Sequence, residues 1–290
     1  MDKSEMKKEN IMNIIRRKHL LSYLTKVLVW MTGIVTIFII LYLLGYIFAN
    51  GIPNISLKLF QWEYSTKNNS LVPPLINTFL MMILTLLMSV PVGVFSAIYM
   101  VEYARRGNKF VAIVRMTTET LSGIPSIVYG LFGYLAFVIA FGWSYSMLAG
   151  AVTMAIMVLP LVMRTTEEAL LSVPDAYREG SFGLGAGKMR TVFKIILPSA
   201  MPGILSGVVL AAGRIAGETA ALIFTAGTVA KVPEDVFSST RTLAVHMYCL
   251  LNEGLHMEDA YAVAVFLVIF VLGMNGLSKL LASRLSKATG

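Results

Sequence analysis

Residues 172–198 read SVPDAYREGSFGLGAGKMRTVFKIILP and lie between two long apolar stretches of the chain. The segment is too polar to cross a bilayer, yet its proline and glycine residues are spaced too regularly for a plain linker. Ser172, Pro174 and Asp175 predict the start of a helix, because a capping hydroxyl, an early proline and an acidic side chain all favour that end.

The second half of the segment predicts a turn and another short helix. The three glycines of 183–187 should end the first helix, because glycine accepts the left-handed backbone that a helix C-cap needs. A second helix should run from Lys188 until Pro198 interrupts it. Two short helices around a glycine corner make a projecting knob, which suits docking into a groove on another protein.

The spacing in this segment resembles the EAA loop of ABC-importer permeases. That pattern is Glu, two small residues, three variable residues, Gly, nine variable residues, Ile, one variable residue and Leu-Pro. Five residues fall in register: Glu179, Gly185, Ile195, Leu197 and Pro198. Gly180 and Ser181 stand where the family usually has two alanines. The resemblance implies that a loop at about 172–200 couples the chain to a cytoplasmic ATPase.

The composition predicts a membrane protein. Of 290 residues, 57% are hydrophobic and 14% are charged, with a mean hydropathy of +0.74, whereas soluble domains carry about 25% charged residues. The single cysteine excludes an intrachain disulfide framework. His246 and Cys249 are two possible ligands, too few to close a zinc site, so no metal site is expected and both are interpreted as structural.

Six apolar runs predict an all-α protein with six transmembrane helices, each near the roughly 20 residues that a span requires. They cover residues 27–49, 74–101, 121–141, 147–163, 203–225 and 260–281. The first is interpreted as a retained anchor, because no cleavage site follows it. The expected organisation is a basic tail at 1–26, the first helix at 27–49, a permease domain at 71–281 and a second tail at 282–290.

The distribution of Lys and Arg predicts the orientation. Nineteen of the 24 basic residues fall in the N-terminal tail, in the connections that follow the second and fourth spans, and at the C-terminal end of the chain from Lys279 onward. The positive-inside rule places these segments, and therefore both termini, in the cytoplasm. The net charge of +8 is then explained by topology, and no nucleic-acid partner is expected.

The run of glycines before Lys188 does not form a nucleotide-binding loop. Such a loop needs Gly, four residues and then Gly-Lys-Ser/Thr after a strand, but Phe182 and Met189 occupy the first glycine and the hydroxyl positions. No catalytic residues are therefore expected in this chain. A partner subunit must bind and hydrolyse ATP with its magnesium ion.

Two charged residues fall inside the fifth apolar run. Arg214 and Glu218 are spaced i,i+4, which puts them on one face of a continuous helix, and a charge at the bilayer centre costs about 2.5–3.5 kcal/mol unless it is paired or wet. Glycines at 207, 213 and 217 should let a neighbour approach this helix. Either the pair fixes helix packing, or Arg214 meets an anion; the planar guanidinium suits a phosphate-like oxyanion and favours the second interpretation.

Two stretches narrow the resemblance. Residues 122–133 (SGIPSIVYGLFG) and 207–227 (GVVLAAGRIAGETAALIFTAG) look like the PstA-type permease subunits of bacterial phosphate ABC transporters. The related PstC-type subunits usually continue with Met after the Arg-x-x-Gly-Glu-Thr pattern, where this chain has Ala220. Ala221 stands where the family often has proline, so this helix is expected to be more continuous.

The resemblance, which runs from about residue 71 to 281, implies a type I importer permease core in the bacterial cytoplasmic membrane. Its implied partners are a PstC-type subunit in a heterodimer, two cytoplasmic ATPase subunits and an extracytoplasmic phosphate-binding protein. Arg214, Glu218 and Thr219 are the implied substrate-pathway residues. No cofactor is expected on this chain itself.

Some assignments stay open from the sequence. Arg115 and Glu119 form a further i,i+4 pair, interpreted as an interfacial ion pair, while Ser126 and Tyr129 suit either the passage or core packing. An importer permease for another oxyanion, such as sulfate or molybdate, shares the docking loop. A membrane enzyme or signalling anchor is disfavoured by that loop and by the lack of a catalytic cluster.

Overall fold

A computed structural model of the chain describes residues 3–105, 107–254 and 256–289, with side chains described for 22–105, 107–254, 256–277 and 280. Part of the basic set used for orientation lies outside the described side chains, namely the Lys and Arg of 3–18, Arg106, Lys279, Arg284 and Lys287. The chain divides into two units, residues 1–50 and 51–290. The first unit belongs to one long helix, α1 (Lys3–Gly51).

The second unit is helical throughout its spans. Two short 3₁₀ turns (Ile52–Asn54 and Leu57–Phe60) precede the helices. These helices are α2 (Val72–Ile98), α3 (Lys109–Ser122), α4 (Ser126–Gly133), α5 (Met147–Leu171), α6 (Asp175–Gly183), α7 (Lys188–Thr191), α8 (Leu197–Ala216), α9 (Ala220–Thr225), α10 (Leu243–Glu253) and α11 (Met257–Thr289). π-helical turns extend α2 (Tyr99–Tyr103), α4 (Tyr134–Ala140) and α7 (Val192–Ile196).

Five stretches of the described chain are long and apolar enough to cross a bilayer: Ser22–Asn54, Val72–Tyr103, Met147–Leu171, Lys188–Ala216 and Met257–Leu277. A sixth is obtained if Lys109–Ser122 and Ser126–Ala140, which are bent by 102° relative to each other, count as one span. The predicted all-α, multi-span architecture is confirmed.

The third predicted span, 121–141, is wrong as a continuous helix. The break falls at 123–125, because Pro125 has no backbone N–H to continue a helix and disfavours helical geometry in the residue before it. Tyr129 stabilises the bend: its hydroxyl donates to the carbonyl oxygen of Leu121 at 2.8 Å, across the break. Tyr129 was expected either to line the passage or to pack in the core. It is buried, so the structure shows the packing role.

The fifth predicted span, 203–225, is also interrupted. α8 ends at Ala216 with Gly217 as its C-cap, and α9 begins at Ala220. The expectation that Ala221 makes this helix more continuous is wrong, because the break needs no proline here. It lies at Gly217-Glu218-Thr219, where glycine weakens the helix and an acidic side chain can cap the next one.

The 172–198 segment folds largely as predicted, with two corrections. α6 begins at Asp175, but the Ser172 hydroxyl donates to the Ala169 carbonyl instead of capping α6. Pro198 does not end the second short helix. It lies in the first turn of α8 after the π-helical turn Val192–Ile196, where the missing N–H of proline costs little.

Apolar packing joins α2, α5 and α8 around Met81, Met154, Val158 and Ile215. Glycine permits the closest approaches: a Cβ added at Gly130 of α4 would lie 2.8 Å from the Cα of Ala221 in α9. Of the three glycines expected to thin the fifth span, only Gly207 lies against a neighbour closely enough to exclude a side chain; that neighbour is Thr165 of α5.

Candidate functional site

A cavity of about 350 Å³ lies between α3, α5, α8 and the π-helical turn that follows α2. Its apolar walls come mainly from methionine, leucine and proline side chains. Five charged residues on three helices also line the cavity: Arg115 and Glu119 from α3, Arg164 and Glu167 from α5, and Arg214 from α8. The polar side chains of Thr118 and Ser122 also line it.

Most of the charges around this cavity are paired. Arg115 Nη2 forms an ion pair with Glu167 Oε1, and Arg164 Nε donates to Glu168 Oε1 at 3.0 Å. The expected ion pair between Arg115 and Glu119 is wrong, because α5 brings Glu167 within reach of Arg115. Both residues nevertheless line the cavity.

Arg214 and Glu119 are the exceptions. In the part of the chain that the structure describes, neither side chain has an ion-pair partner or a hydrogen bond. Both are exposed to the cavity and to solvent. An arginine without a partner in such a position keeps all of its guanidinium donors available to a diffusing anion.

The structure shows no ion pair between Arg214 and Glu218, which was one of the two alternatives that the sequence left open. The i,i+4 geometry holds only within one helix, and α8 ends between these residues. Glu218 Oε1 instead accepts a hydrogen bond from the backbone N–H of Ala221 at 3.2 Å, in the first turn of α9. Thr219 occupies the N-cap position of α9 without a side-chain capping bond. Arg214 alone of the three lines the cavity.

The five residues of the docking pattern fall on and below the projecting loop. Glu179 is exposed on α6, and Gly185 has φ +81°, in the left-handed region that favours glycine. Ile195 and Leu197 pack against a core cluster beneath the loop, and Pro198 lies in the first turn of α8. Leu184, at the tip, is 91% exposed. The arrangement presents an apolar tip on a base fixed by packing.

Sequence reasoning missed one residue at the base of this loop. Arg178 forms an ion pair with Glu102, which lies 76 residues earlier in the chain. No local pattern predicts it, since the partner lies beyond α3, α4 and α5 in sequence. The sequence signals only that an arginine lies within the polar segment 172–198.

At the opposite end of the bundle from the loop, His246 of α10 is fully buried. Arg241 Nη1 contacts its Nδ1 at 3.3 Å, and its Nε2 lies 3.3 Å from the Asn69 carbonyl oxygen. Burial, and then the charge of Arg241, lower the pKa of His246 from 6.5 to about 4. His246 is therefore neutral near pH 7 and accepts from Arg241, a structural role. Among the described residues no cluster of three or more His, Cys, Asp or Glu side chains is present.

Residues 89–287 match the family of binding-protein-dependent transport system inner membrane components. This match covers most of the chain, and the chain belongs to that family. It is a subunit of a transporter in the class of ABC-importer permeases, with several spans in the inner membrane.

Individual relatives agree. The chain is 36% identical over 264 residues to the probable ABC transporter permease protein YqgI of Bacillus subtilis, covering 84% of this chain and 89% of the relative. It is 32% identical over 259 residues to the phosphate transport system permease protein PstA of Haemophilus influenzae, covering 87% and 90%. PstA of Mycobacterium leprae is 35% identical over 192 residues, covering 65% and 62%.

Solved structures show the same fold. A bacterial alginate ABC transporter superposes with a TM-score of 0.63 at 17% identity, covering 95% of this chain and 97% of its own. The MetNI methionine ABC transporter in an inward-facing conformation gives 0.57 at 22% identity, covering 73% and 93%. These likenesses support the type I importer permease fold.

Proposed function

We propose that this chain is the permease subunit through which an ATP-driven importer passes inorganic phosphate into the cell by alternating access. The observation that carries the proposal is the unpaired Arg214 in a cavity whose other arginines, Arg115 and Arg164, are held by carboxylates. The relatives named as phosphate transport permeases support phosphate over sulfate or molybdate as the anion.

Arg214 suits a substrate that must bind and then leave. Its guanidinium offers a planar fork of donors that matches two oxygens of a phosphate group. A single free cation gives a weak site, whereas a cluster of unpaired arginines would retain the anion. Glu218 and Thr219 form the break immediately after the turn that carries Arg214, so in this proposal they shape the pathway without binding the anion directly.

Arg214 also benefits from the surrounding ion pairs. Because Arg115 and Arg164 pair with Glu167 and Glu168, Arg214 and the carboxylate of Glu119 are the charges of the cavity lining, among the described residues, that have no ion-pair partner.

ATP and its magnesium ion belong, in this proposal, to two cytoplasmic ATPase subunits that receive the α6–α7 loop. Glu179 and the apolar tip formed by Phe182 and Leu184 are exposed for that contact. A PstC-type permease subunit completes the membrane core, and an extracytoplasmic phosphate-binding protein delivers the anion on the opposite side.

The orientation that this requires places both termini and the α6–α7 loop in the cytoplasm. It is tested in a Cys249→Ser background, by labelling single cysteines in intact cells with an impermeant thiol reagent. A cysteine at Lys67 should react, and one at Lys188 should react only after the membrane is opened. Labelling of both in intact cells contradicts the orientation.

The substrate is tested by uptake of labelled phosphate and labelled sulfate into vesicles that contain the complete complex. We expect ATP-dependent accumulation of phosphate, competed by unlabelled phosphate and not by an equal concentration of sulfate. Accumulation of sulfate in preference to phosphate would overturn the assignment in favour of the other oxyanion class.

A further inference from the structure

Arg178 of α6 makes an unusual number of contacts for a residue of a short surface helix. Its Nε and Nη2 donate to Glu102 Oε1 at 3.1 and 2.7 Å. Its Nη1 donates to the Val173 carbonyl at 2.9 Å, and Nη2 also donates to the Leu170 carbonyl at 3.0 Å. One guanidinium thus ties α6 to the end of α5 and to the turn that follows α2.

The central ion pair of this set is shielded from solvent. The side chains of Arg178 and Glu102 are 16% and 8% exposed, whereas Asp175, which also accepts from Arg178, is 81% exposed. Exposed pairs contribute about 0–1 kcal/mol because water competes for both partners. A buried pair keeps its two partners together, because separating them would leave an uncompensated charge away from water.

Glu102 lies two residues after Met100, which lines the cavity that contains Arg214. It belongs to the π-helical turn Tyr99–Tyr103, and π-helical turns inside membrane or soluble helices occur frequently at functional sites. Met100 of the same turn lines the cavity that contains Arg214 and packs against Val111 and Met163. A displacement of Glu102 therefore moves a residue of the cavity wall.

A further cavity, of about 650 Å³, adjoins the ion pair. Both Glu102 and Arg178 line it, together with Met100 and Arg115. Beside this cavity, Ile98 and Val101 belong to the same apolar cluster as Val173 and Val192 at the base of the loop. The ion pair connects α6 directly to the turn after α2, and Tyr103 of the same turn also contacts Met189 and Lys188 of α7.

We propose that the Arg178–Glu102 ion pair transmits movement between the ATPase-docking loop and the wall of the transport cavity. Arg178 is a positioning residue: it contacts neither the anion nor the nucleotide. When the ATPase subunits move α6, Arg178 carries the Tyr99–Tyr103 turn with it and so changes the cavity around Arg214. This inference rests on the proposed function only in that α6 is the docking element.

The test measures how strongly the extracytoplasmic binding protein stimulates ATP hydrolysis by the complete complex in vesicles, together with co-purification of the ATPase subunits. Glu102→Gln keeps the shape and removes the charge, while Arg178→Lys keeps the charge and loses the fork. For both variants we expect normal co-purification and a loss of stimulation of about tenfold, within the range usual for coupling between distant sites. The double variant should lose no more than the worse single variant, because both changes break one contact.

The matched control is Asp175→Asn, which removes the exposed acceptor of the same arginine and should leave stimulation unchanged. Glu102→Asp retains the charge at shorter reach and should recover part of the stimulation, which keeps the test decisive if Glu102→Gln fails to assemble. Wild-type stimulation in both Glu102→Gln and Arg178→Lys, or loss of ATPase co-purification in Glu102→Asp, would overturn the proposal. The readout does not depend on phosphate uptake, so a wild-type complex that is stimulated but imports another anion refutes the substrate and leaves this test intact.

Discussion

Glu218 accepts a hydrogen bond from the backbone N–H of Ala221, at 3.2 Å, and does not pair with Arg214. One acidic side chain therefore caps the second half of a broken membrane helix, and the arginine one turn earlier keeps its donors free. The separation of these two roles is what makes an anion-binding role for Arg214 testable, since the two residues need not be changed together.

Glu218→Gln should retain most of the transport activity, because the amide oxygen can still accept from the Ala221 N–H. Glu218→Ala should lower stability by about 1 kcal/mol, the usual cost of losing a helix cap. Both effects are measured by uptake in vesicles and by thermal unfolding in detergent. Complete loss of uptake in an assembled Glu218→Gln complex would show that the charge itself is needed in the pathway.

Gly185→Val should disrupt docking without disrupting the membrane fold. Gly185 has φ +81°, and a β-branched residue in the left-handed region is strained by about 1–3 kcal/mol. The loop should therefore change shape, and the ATPase subunits should no longer co-purify. Gly183→Ala is the matched control, because Gly183 has no positive φ and a methyl group there meets open space. Equal ATPase recovery with both variants contradicts the docking role.

Gly130→Ala should destabilise the packing of α4 on α9. The added methyl group would lie 2.8 Å from the Cα of Ala221, a backbone atom that cannot rotate away. Overpacking of this kind costs about 1–3 kcal/mol, more than the gain of up to about 1 kcal/mol from replacing a helical glycine. Gly123→Ala, whose methyl group meets only an ordinary contact at 3.5 Å, should leave the unfolding temperature nearly unchanged.

Stability should fall on acidification because of His246. Its pKa is lowered to about 4 in the folded protein, so the unfolded chain binds the proton first as the pH falls. The contribution is fully present above pH 6.5 and is lost between pH 6.5 and 4, by up to about 3 kcal/mol. The charged groups that act on the ring are Arg241 and Asp259. His246→Gln should show a smaller drop in unfolding temperature between pH 7 and pH 4.5 than the wild type; an equal drop contradicts the assignment.

Hydropathy predicted which stretches are long and apolar enough to cross a bilayer, but it did not predict where helices break inside those stretches. Pro125 is visible in the sequence, but the apolar residues on both sides of it favoured the prediction of one continuous span. The break at 217–219 depends on Glu218 reaching Ala221, a contact that hydropathy cannot register. Pro198 was expected to end a helix, but it lies in the first turn of α8, and a proline in that position does not interrupt a helix.

The candidate site was predictable only in part. Arg214 was identified because a charge in an apolar run needs an explanation, but the alternative in which it pairs with Glu218 came from i,i+4 spacing, which fails once the helix ends. The pairing of Arg115 with Glu167 and of Arg178 with Glu102 depends on how α2, α3, α5 and α6 pack together. Contacts of that kind are fixed by tertiary structure, and no spacing within one helix contains them.

The anion-binding role of Arg214 is tested most directly by the uptake of labelled phosphate into vesicles that contain the complete complex with Arg214→Gln. Loss of a charge-assisted contact to the anion should reduce the uptake rate by about tenfold or more, while the subunits assemble and the ATPase subunits still hydrolyse ATP. Arg214→Lys, which keeps the charge without the fork, should fall between the two. Wild-type phosphate uptake by an assembled Arg214→Gln complex would contradict the anion-binding role of Arg214.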